Sequence, residues 1–203
     1  MLEEARRLGF LGPGPIEVHL DHAAGFADAV ERAMGGQEAY ERRAADLGSG
    51  AGLPGLPLAL RFTAWTWTLI EASARRADFL RDAVHGLGIE DRVRVLHDRA
   101  EMVGRTSTQR GSFDVVVARS FGPPPVVAEC AAPLLRQAGG AVVSEPPGGV
   151  PDRWPAAGLA KVGMVAGRAV VARGWAYQLL RQSDRCDERY PRRIGVPAKR
   201  PLF

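Results

Sequence analysis

Ala45-Asp46-Leu47-Gly48-Ser49-Gly50-Ala51-Gly52-Leu53-Pro54-Gly55 is the stretch whose reading decides the fold. A short apolar run ends in an acid, glycines follow at 48, 50, 52 and 55, and a helical pattern begins behind them. Glycine lets the backbone take positive φ and leaves room for a ligand to approach the main chain. A strand, a glycine turn and a helix N-terminus in that order form the ligand-binding corner of an open α/β sheet.

Outward from that corner, residues 43–47 read as a first strand, short and buried. A helix over about 54–60 follows, with Pro54 and Pro57 in its first turn, where a missing N–H costs little. Residues 64–70 are β-branched and aromatic and make a second strand ending at Glu71. Ser73 is an N-cap for a helix whose apolar face is Ala77, Leu80, Val84 and Leu87. A third strand spans 92–96, and a turn with a short helix covers 97–101. Residues 113–118 are almost continuously apolar, as a central parallel strand is when both faces are covered. Arg119 stands at its carboxyl end.

A helix over about 125–135, a turn at 137–140, a fifth strand at 141–144 and a Pro/Gly-rich loop at 145–151 complete the alternation. Two strand-like runs, 161–166 and 169–180, flank Gly167-Arg168 and imply an antiparallel hairpin. Upstream, Gly12-Pro13-Gly14-Pro15 separates a short helix from a longer one over 16–34 that Gly35-Gly36 ends. Leu20, Ala23, Ala24, Ala27 and Val30 form its apolar face. The whole is an α/β chain with a mostly parallel sheet and a terminal antiparallel hairpin. It reads as one domain over 1–203: a helical cap at 1–44, a core at 45–182 and a basic tail at 183–203.

Composition narrows the function classes. At 203 residues and 46% hydrophobic, the chain can bury a full core. No apolar run approaches the roughly 20 residues of a membrane helix, and the acidic start lacks the order of a secretory signal. Two cysteines, Cys130 and Cys186, suit a reducing cytoplasm better than a disulfide framework. His19, Asp21 and His22 lack the further ligands of a closed metal site, so no metal is expected. The net charge of +4 is uneven: residues 1–45 carry −3, and residues 181–203 carry +4. A basic end suggests a polyanion such as nucleic acid; an Arg-rich solvated tail is the plainer alternative.

Two ligands compete for the glycine corner. Gly50-Ala51-Gly52-Leu53-Pro54-Gly55 satisfies the dinucleotide spacing G-x-G-x-x-G, with Glu71 about 20 residues on. Pro54, however, removes a donor where a pyrophosphate would sit. The frame Asp46-x-Gly48-x-Gly50-x-Gly52 is the first motif of S-adenosylmethionine (AdoMet) methyltransferases. AdoMet carries no phosphate, and its ammonium and sulfonium suit a nearby acid. Glu71 can accept from both ribose hydroxyls. Read singly, Asp46 could cap the turn, Glu71 could be a solvated strand-end charge, Ala100-Glu101 a helix start and Arg119 a surface ion-pair partner. Together they fall at strand carboxyl ends, where open α/β sheets bind ligands.

Several of these segments resemble one family, the bacterial small-subunit (16S) ribosomal RNA guanine-N7 methyltransferases called RsmG or GidB. Residues 46–58, Asp-Leu-Gly-Ser-Gly-Ala-Gly-Leu-Pro-Gly-Leu-Pro-Leu, resemble its first motif. Residues 69–80, Asp98-Arg99-Ala100-Glu101, Ala118-Arg119-Ser120 and the tail from Tyr190 to Leu202 are similar to its later ones. The resemblance implies a Rossmann-like AdoMet-dependent methyltransferase acting on N7 of a guanine in rRNA. It implies AdoMet contacts at Gly48 and Leu53, Ala100 and Glu101 at the adenine side, and Arg119 near the methionine end. Asp46, Gly50 and Glu71 fit the general roles already argued.

The N-terminal part is shorter and more acidic than the family's, and Glu145-Pro146 stands where a Lys-Gly is usual. A small-molecule methyltransferase with the N-terminal helices as a lid, and a non-catalytic AdoMet- or RNA-binding module, are the alternatives. Guanine N7 has a free lone pair, so no residue is assigned as catalytic acid or base. RNA phosphates would meet Arg185, Arg189, Arg192, Arg193, Lys199 and Arg200; alternatively Tyr190, Pro191 and Leu202 dock that segment on the sheet and leave the arginines solvated.

Overall fold

The computed structural model describes residues 1–35, 41–147 and 152–203. Gly36 of the expected helix stop and residues 148–151 of the Pro/Gly-rich loop lie outside the described residues. The chain runs α1 (Leu2–Arg7), α2 (Ile16–Ala33), β1 (Arg43–Leu47), α3 (Gly55–Arg61), β2 (Thr66–Glu71), α4 (Ala74–Gly86), β3 (Val93–His97) and α5 (Ala100–Val103). It continues through β4 (Phe113–Ala118), α6 (Pro124–Ala131), β5 (Leu135–Glu145), α7 (Ala156–Ala160), β6 (Met164–Ala172), β7 (Trp175–Gln182) and α8 (Val196–Lys199).

The strands form one sheet in the order β3-β2-β1-β4-β5-β7-β6. Strands β1 to β5 pair in parallel, and β7 runs antiparallel to both β5 and β6. Strand pleating sends alternate side chains to opposite faces, and β4 shows it from Val115 to Ala118. Val116 and Ala118 join the cluster that contains Val127, Leu134 and Tyr190, as does Phe113, which stands before the register irregularity that separates it from Val115. Val115 and Val117 join the one that contains Phe26, Leu56 and Leu80. Helices α2, α3 and α4 thus cover one face, and α5, α6, α7 and the tail cover the other. No described helix is long and apolar enough to cross a membrane, and both cysteines are free and buried.

Three expectations shift. The hairpin turn is Arg173-Gly174, with φ of +51° and +78°, and not Gly167-Arg168. Two consecutive positive φ values match the turn that best follows strand twist; Gly167-Arg168 is instead a bulge in β6, where the register slips between Ala166 and Ala169. The helix expected over 125–135 stops at Ala131, and β5 already starts at Leu135. Leu135 pairs with Phe113 and Gly140 with Val115, so the expected turn at 137–140 is an irregularity inside the strand, with Ala138 at φ +66°.

The buried face of α2 is also rotated. Ala23, Ala27 and Val30 are buried as expected, but Leu20 is exposed, and His19, His22 and Phe26 point inward. An aromatic nest accounts for this. His22 stacks on Tyr177, which also packs edge-on against Phe26 and donates its hydroxyl to the His22 carbonyl at 2.7 Å. Burial, with the Arg119 charge acting the same way, pushes the His22 imidazole down to about 4. Ser73 occupies the N-cap of α4 but makes no side-chain cap bond.

Candidate active site

Strand β1 has β2 on one side and β4 on the other, and Leu47 pairs with both Ile70 and Ala118. The helices that follow β1 and β4 leave toward opposite faces. A crevice therefore opens beyond the strand ends at this point. The glycine loop forms its floor. Gly48 has φ +67°, and a Cβ there would lie 2.8 Å from Phe121 Cδ2. Only glycine takes that backbone and lets the Phe121 ring lie over the loop. Gly52, at φ +86°, has the same constraint against the Leu56 side chain.

Glu71 holds the loop in place. Its Oε2 accepts from Gly50 N–H at 2.9 Å, and its Oε1 accepts from Ser73 N–H at 2.8 Å. Both oxygens of this buried carboxylate are thus taken by backbone amides, and only their second lone pairs remain for a ligand. Asp46 lies beneath the loop. Its Oδ2 accepts from Gly55 N–H at 3.1 Å, at the start of α3, while buried Oδ1 has no partner.

Burial pushes the Asp46 carboxyl up to about 7, against the pull of the Gly55 amide. The folded pKa lies above the unfolded one, so the native state keeps a proton that the unfolded chain has released. The associated stability is full below about pH 4 and is lost as pH rises through 7. Between pH 5 and pH 7 the loss amounts to roughly 2–3 kcal/mol. Asp46→Asn, read by urea unfolding at pH 5 and pH 8, should flatten that dependence. An equally steep loss in the variant would show that another group sets it.

Arg119 follows β4 beside the loop. Its Nη2 donates to His19 Nδ1 at 2.7 Å. A guanidinium only donates, so His19 Nδ1 carries the lone pair and the ring proton is on Nε2. That Nε2–H donates to the Gly12 carbonyl at 3.2 Å. The N-terminal helical segment is therefore fastened to the end of β4. Arg119 Nη1 is buried and has no hydrogen-bond partner among the described residues. Burial lowers the guanidinium's proton affinity from its ordinary value, yet arginine stays charged throughout the working range.

Two cavities meet at this arginine. One, of about 290 Å³, lies over Gly48, Ser49, Gly50, Ala51 and Leu53. The other, of about 460 Å³, runs along the ends of β4 and β5 and is lined by Phe121, Trp154, Trp175 and Glu145. His19, Arg119 and Ser120 border both. Of the residues expected at a cofactor site, Gly48, Gly50, Leu53 and Arg119 line the smaller cavity, and Asp46 and Glu71 brace its floor from behind.

Ala100 and Glu101 do not line it. Ala100 is buried in the core. Glu101 Oε1 accepts from Gly195 N–H at 3.0 Å, and its Oε2 lies 3.5 Å from Arg99 Nε. Burial pushes the Glu101 carboxyl up, but the Gly195 amide and Arg99 outweigh it and leave it lowered. Its side chain is committed to the tail.

The tail is docked rather than free. Arg192 lays Nε and Nη2 on Glu129 Oε1 and Oε2 at 2.8 and 2.6 Å, and Glu129 is 0% exposed. Arg110 donates to the carbonyls of Cys186, Asp187 and Tyr190. Arg192 is thus a structural residue, which corrects its expected place among the RNA contacts. Arg193, Lys199 and Arg200 are exposed, while Arg185 and Arg189 sit in exposed ion pairs with Glu188 and Asp187. Sequence reasoning missed His19, Phe121 and Glu129 as partners. Each meets its partner only through tertiary packing, and no local spacing marks it.

A family model described as rRNA small subunit methyltransferase G matches residues 25–144. The ribosomal RNA small subunit methyltransferase G of Rubrobacter xylanophilus is 37% identical over 179 residues, covering 79% of this chain and 65% of that protein. Its counterpart from Deinococcus radiodurans is 35% identical over 187 residues, covering 88% and 73%. Among solved structures, a SAM-dependent methyltransferase from Aquifex aeolicus superposes with a TM-score of 0.59 at 16% identity, covering 88% of this chain and 96% of that one. A geranyl diphosphate C-methyltransferase from Streptomyces coelicolor, in complex with S-adenosyl-L-homocysteine, gives 0.53 at 14% identity, covering 69% and 72%. These two carry the fold alone.

Proposed function

The chain belongs to the rRNA small subunit methyltransferase G family, and from that premise we propose that it transfers a methyl group from AdoMet to N7 of a guanine in small-subunit ribosomal RNA. The observation that carries this reading is the pair of adjoining cavities with His19, Arg119 and Ser120 as their common wall. A transferase that moves a methyl group in line between two substrates needs two compartments that touch at one place.

The glycine-loop cavity suits AdoMet. When bound, AdoMet supplies an electrophilic methyl group on its sulfonium. Gly48 and Gly50 leave the backbone open to it, and Leu53 adds an apolar contact. Arg119 lines this cavity, and its guanidinium, whose Nη1 has no partner among the described residues, is the cation that would meet the methionine carboxylate. Glu71 keeps the loop in shape and offers its remaining lone pairs to the ribose. Adenine contacts at Ala100 and Glu101 would fall to the backbone, since the Glu101 side chain holds the tail.

The larger cavity suits the acceptor base. Phe121, Trp154 and Trp175 give it the flat apolar walls on which an unstacked base can lie. Guanine N7 is a nucleophile without prior deprotonation, so the protein's work is positioning and exclusion of water. No acid or base is assigned. RNA phosphates are taken up by Arg193, Lys199 and Arg200 on the docked tail.

The purified protein, incubated with AdoMet and unmodified small-subunit rRNA, should yield one 7-methylguanosine per RNA by nuclease digestion and mass analysis. Methyl incorporation into another base, or none with rRNA but some with a small molecule, would replace this acceptor. A steep fall of rRNA binding with salt should accompany the activity.

A further inference from the structure

We propose that Glu145 reads the Watson–Crick edge of the acceptor base and makes the larger cavity selective for guanine over adenine. This rests on the reading of that cavity as the acceptor site. Glu145 ends β5, the parallel neighbour of β4, and Val143 pairs with Ala118 just before the two strands give way to Glu145 and Arg119. The carboxylate lines the larger cavity and not the glycine-loop one, with only 7% of its side chain exposed.

Two neighbours fix its orientation. Trp154 Nε1–H donates to Oε1 at 2.8 Å. Arg153 Nε lies 2.9 Å from Oε2, but its N–H does not align, so the contact is an ion pair without a formed hydrogen bond. A carboxylate offers about four lone-pair sites. Trp154 takes one, so among the described residues both oxygens of this cavity-lining carboxylate retain acceptor capacity.

The base that uses this capacity is set by its hydrogen-bonding edge. Guanine presents two adjacent donors, N1–H and N2–H₂, which match two carboxylate oxygens. Adenine presents one donor beside the bare N1 lone pair, which a carboxylate repels. The N7 edge of guanine adjoins the Watson–Crick edge at the C6 carbonyl, and the N7 lone pair points at roughly a right angle to N1–H. A guanine held by Glu145 at the end of β5 can therefore present N7 sideways, toward the end of β4, where Arg119 and Ser120 form the wall shared with the glycine-loop cavity. One recognition contact selects the base and leaves the reacting atom free.

The test uses the full-length protein, with 5′-GMP, 5′-IMP and 5′-AMP as probes and tryptophan fluorescence as readout, since Trp154 and Trp175 line the cavity. The wild type should bind GMP at least tenfold more tightly than AMP, with IMP between them because it lacks the N2 donors. Glu145→Gln keeps an oxygen for Trp154 and should fold; it should reduce the GMP:AMP ratio to within about threefold of unity. Glu145→Asp, with a shorter carboxylate, should recover part of the preference. A wild type with no preference for GMP overturns the proposal, as does a ratio unchanged in Glu145→Gln. A Glu145-dependent GMP preference without rRNA methylation would sink the rRNA reading and leave the recognition standing. Methylation of rRNA with a Glu145-independent ratio would do the reverse.

Discussion

Arg119→Met should weaken AdoMet binding by about 10- to 100-fold, the equivalent of losing one charge-assisted hydrogen bond of roughly 1.5–3 kcal/mol. The guanidinium is held by His19 through Nη2, and its Nη1 is buried with no partner among the described residues. A buried donor in that state is costly unless a ligand satisfies it. Methionine at this position keeps the bulk of the wall and removes only the charge. Calorimetry with AdoMet, S-adenosylhomocysteine and 5′-methylthioadenosine separates the possibilities. The first two carry the amino-acid carboxylate and should lose affinity in the variant. The third lacks it and should bind the variant as it binds the wild type. Equal losses for all three would mean that Arg119 merely shapes the cavity. Unchanged AdoMet affinity with impaired methyl transfer would move Arg119 to the acceptor side.

Arg192→Ala should destabilise the fold by about 3–5 kcal/mol, because it strands a buried carboxylate without its cation. Glu129 is 0% exposed and receives Arg192 through Nε, Nη2 and the Arg192 backbone N–H. Urea unfolding at neutral pH measures the loss directly. Glu129→Leu combined with Arg192→Met should recover most of it, since an apolar pair of similar volume needs no charge neutralisation. Arg185→Ala, which breaks an exposed ion pair, serves as the comparison and should move stability by less than about 1 kcal/mol. If Arg192→Ala kept full stability and lost rRNA binding, the tail arginine would be an RNA contact after all.

The tail shows why the sequence was legible only to a point. Its basic charge suggested a polyanion, and charge is readable without coordinates. Which arginine is spent on the protein's own interior is not, because Glu129 and Arg192 are 63 positions apart and meet only when α6 and the tail share one face of the sheet. The same holds for α2, whose helical spacing was correct in period but not in phase. Leu20 is more hydrophobic than His19 or His22, yet it faces solvent. Tyr177 and Trp175 on β7 form an aromatic nest that accepts a neutral imidazole, and Arg119 takes the other histidine.

The amino-acid sequence by itself determined the parallel α/β sheet, the glycine corner at its centre and the family. Those features rest on local rules: apolar periodicity sets strand and helix, and glycine at alternate positions sets a backbone that other residues resist. Tertiary structure alone decided which side chains surround the corner. It placed His19 on Arg119, Phe121 on Gly48 and Glu101 on the tail, and it set Glu145 in the same cavity as Arg119. A side chain's partner depends on where distant segments cross, and that is fixed by how the two faces of the sheet are filled rather than by any neighbour along the chain.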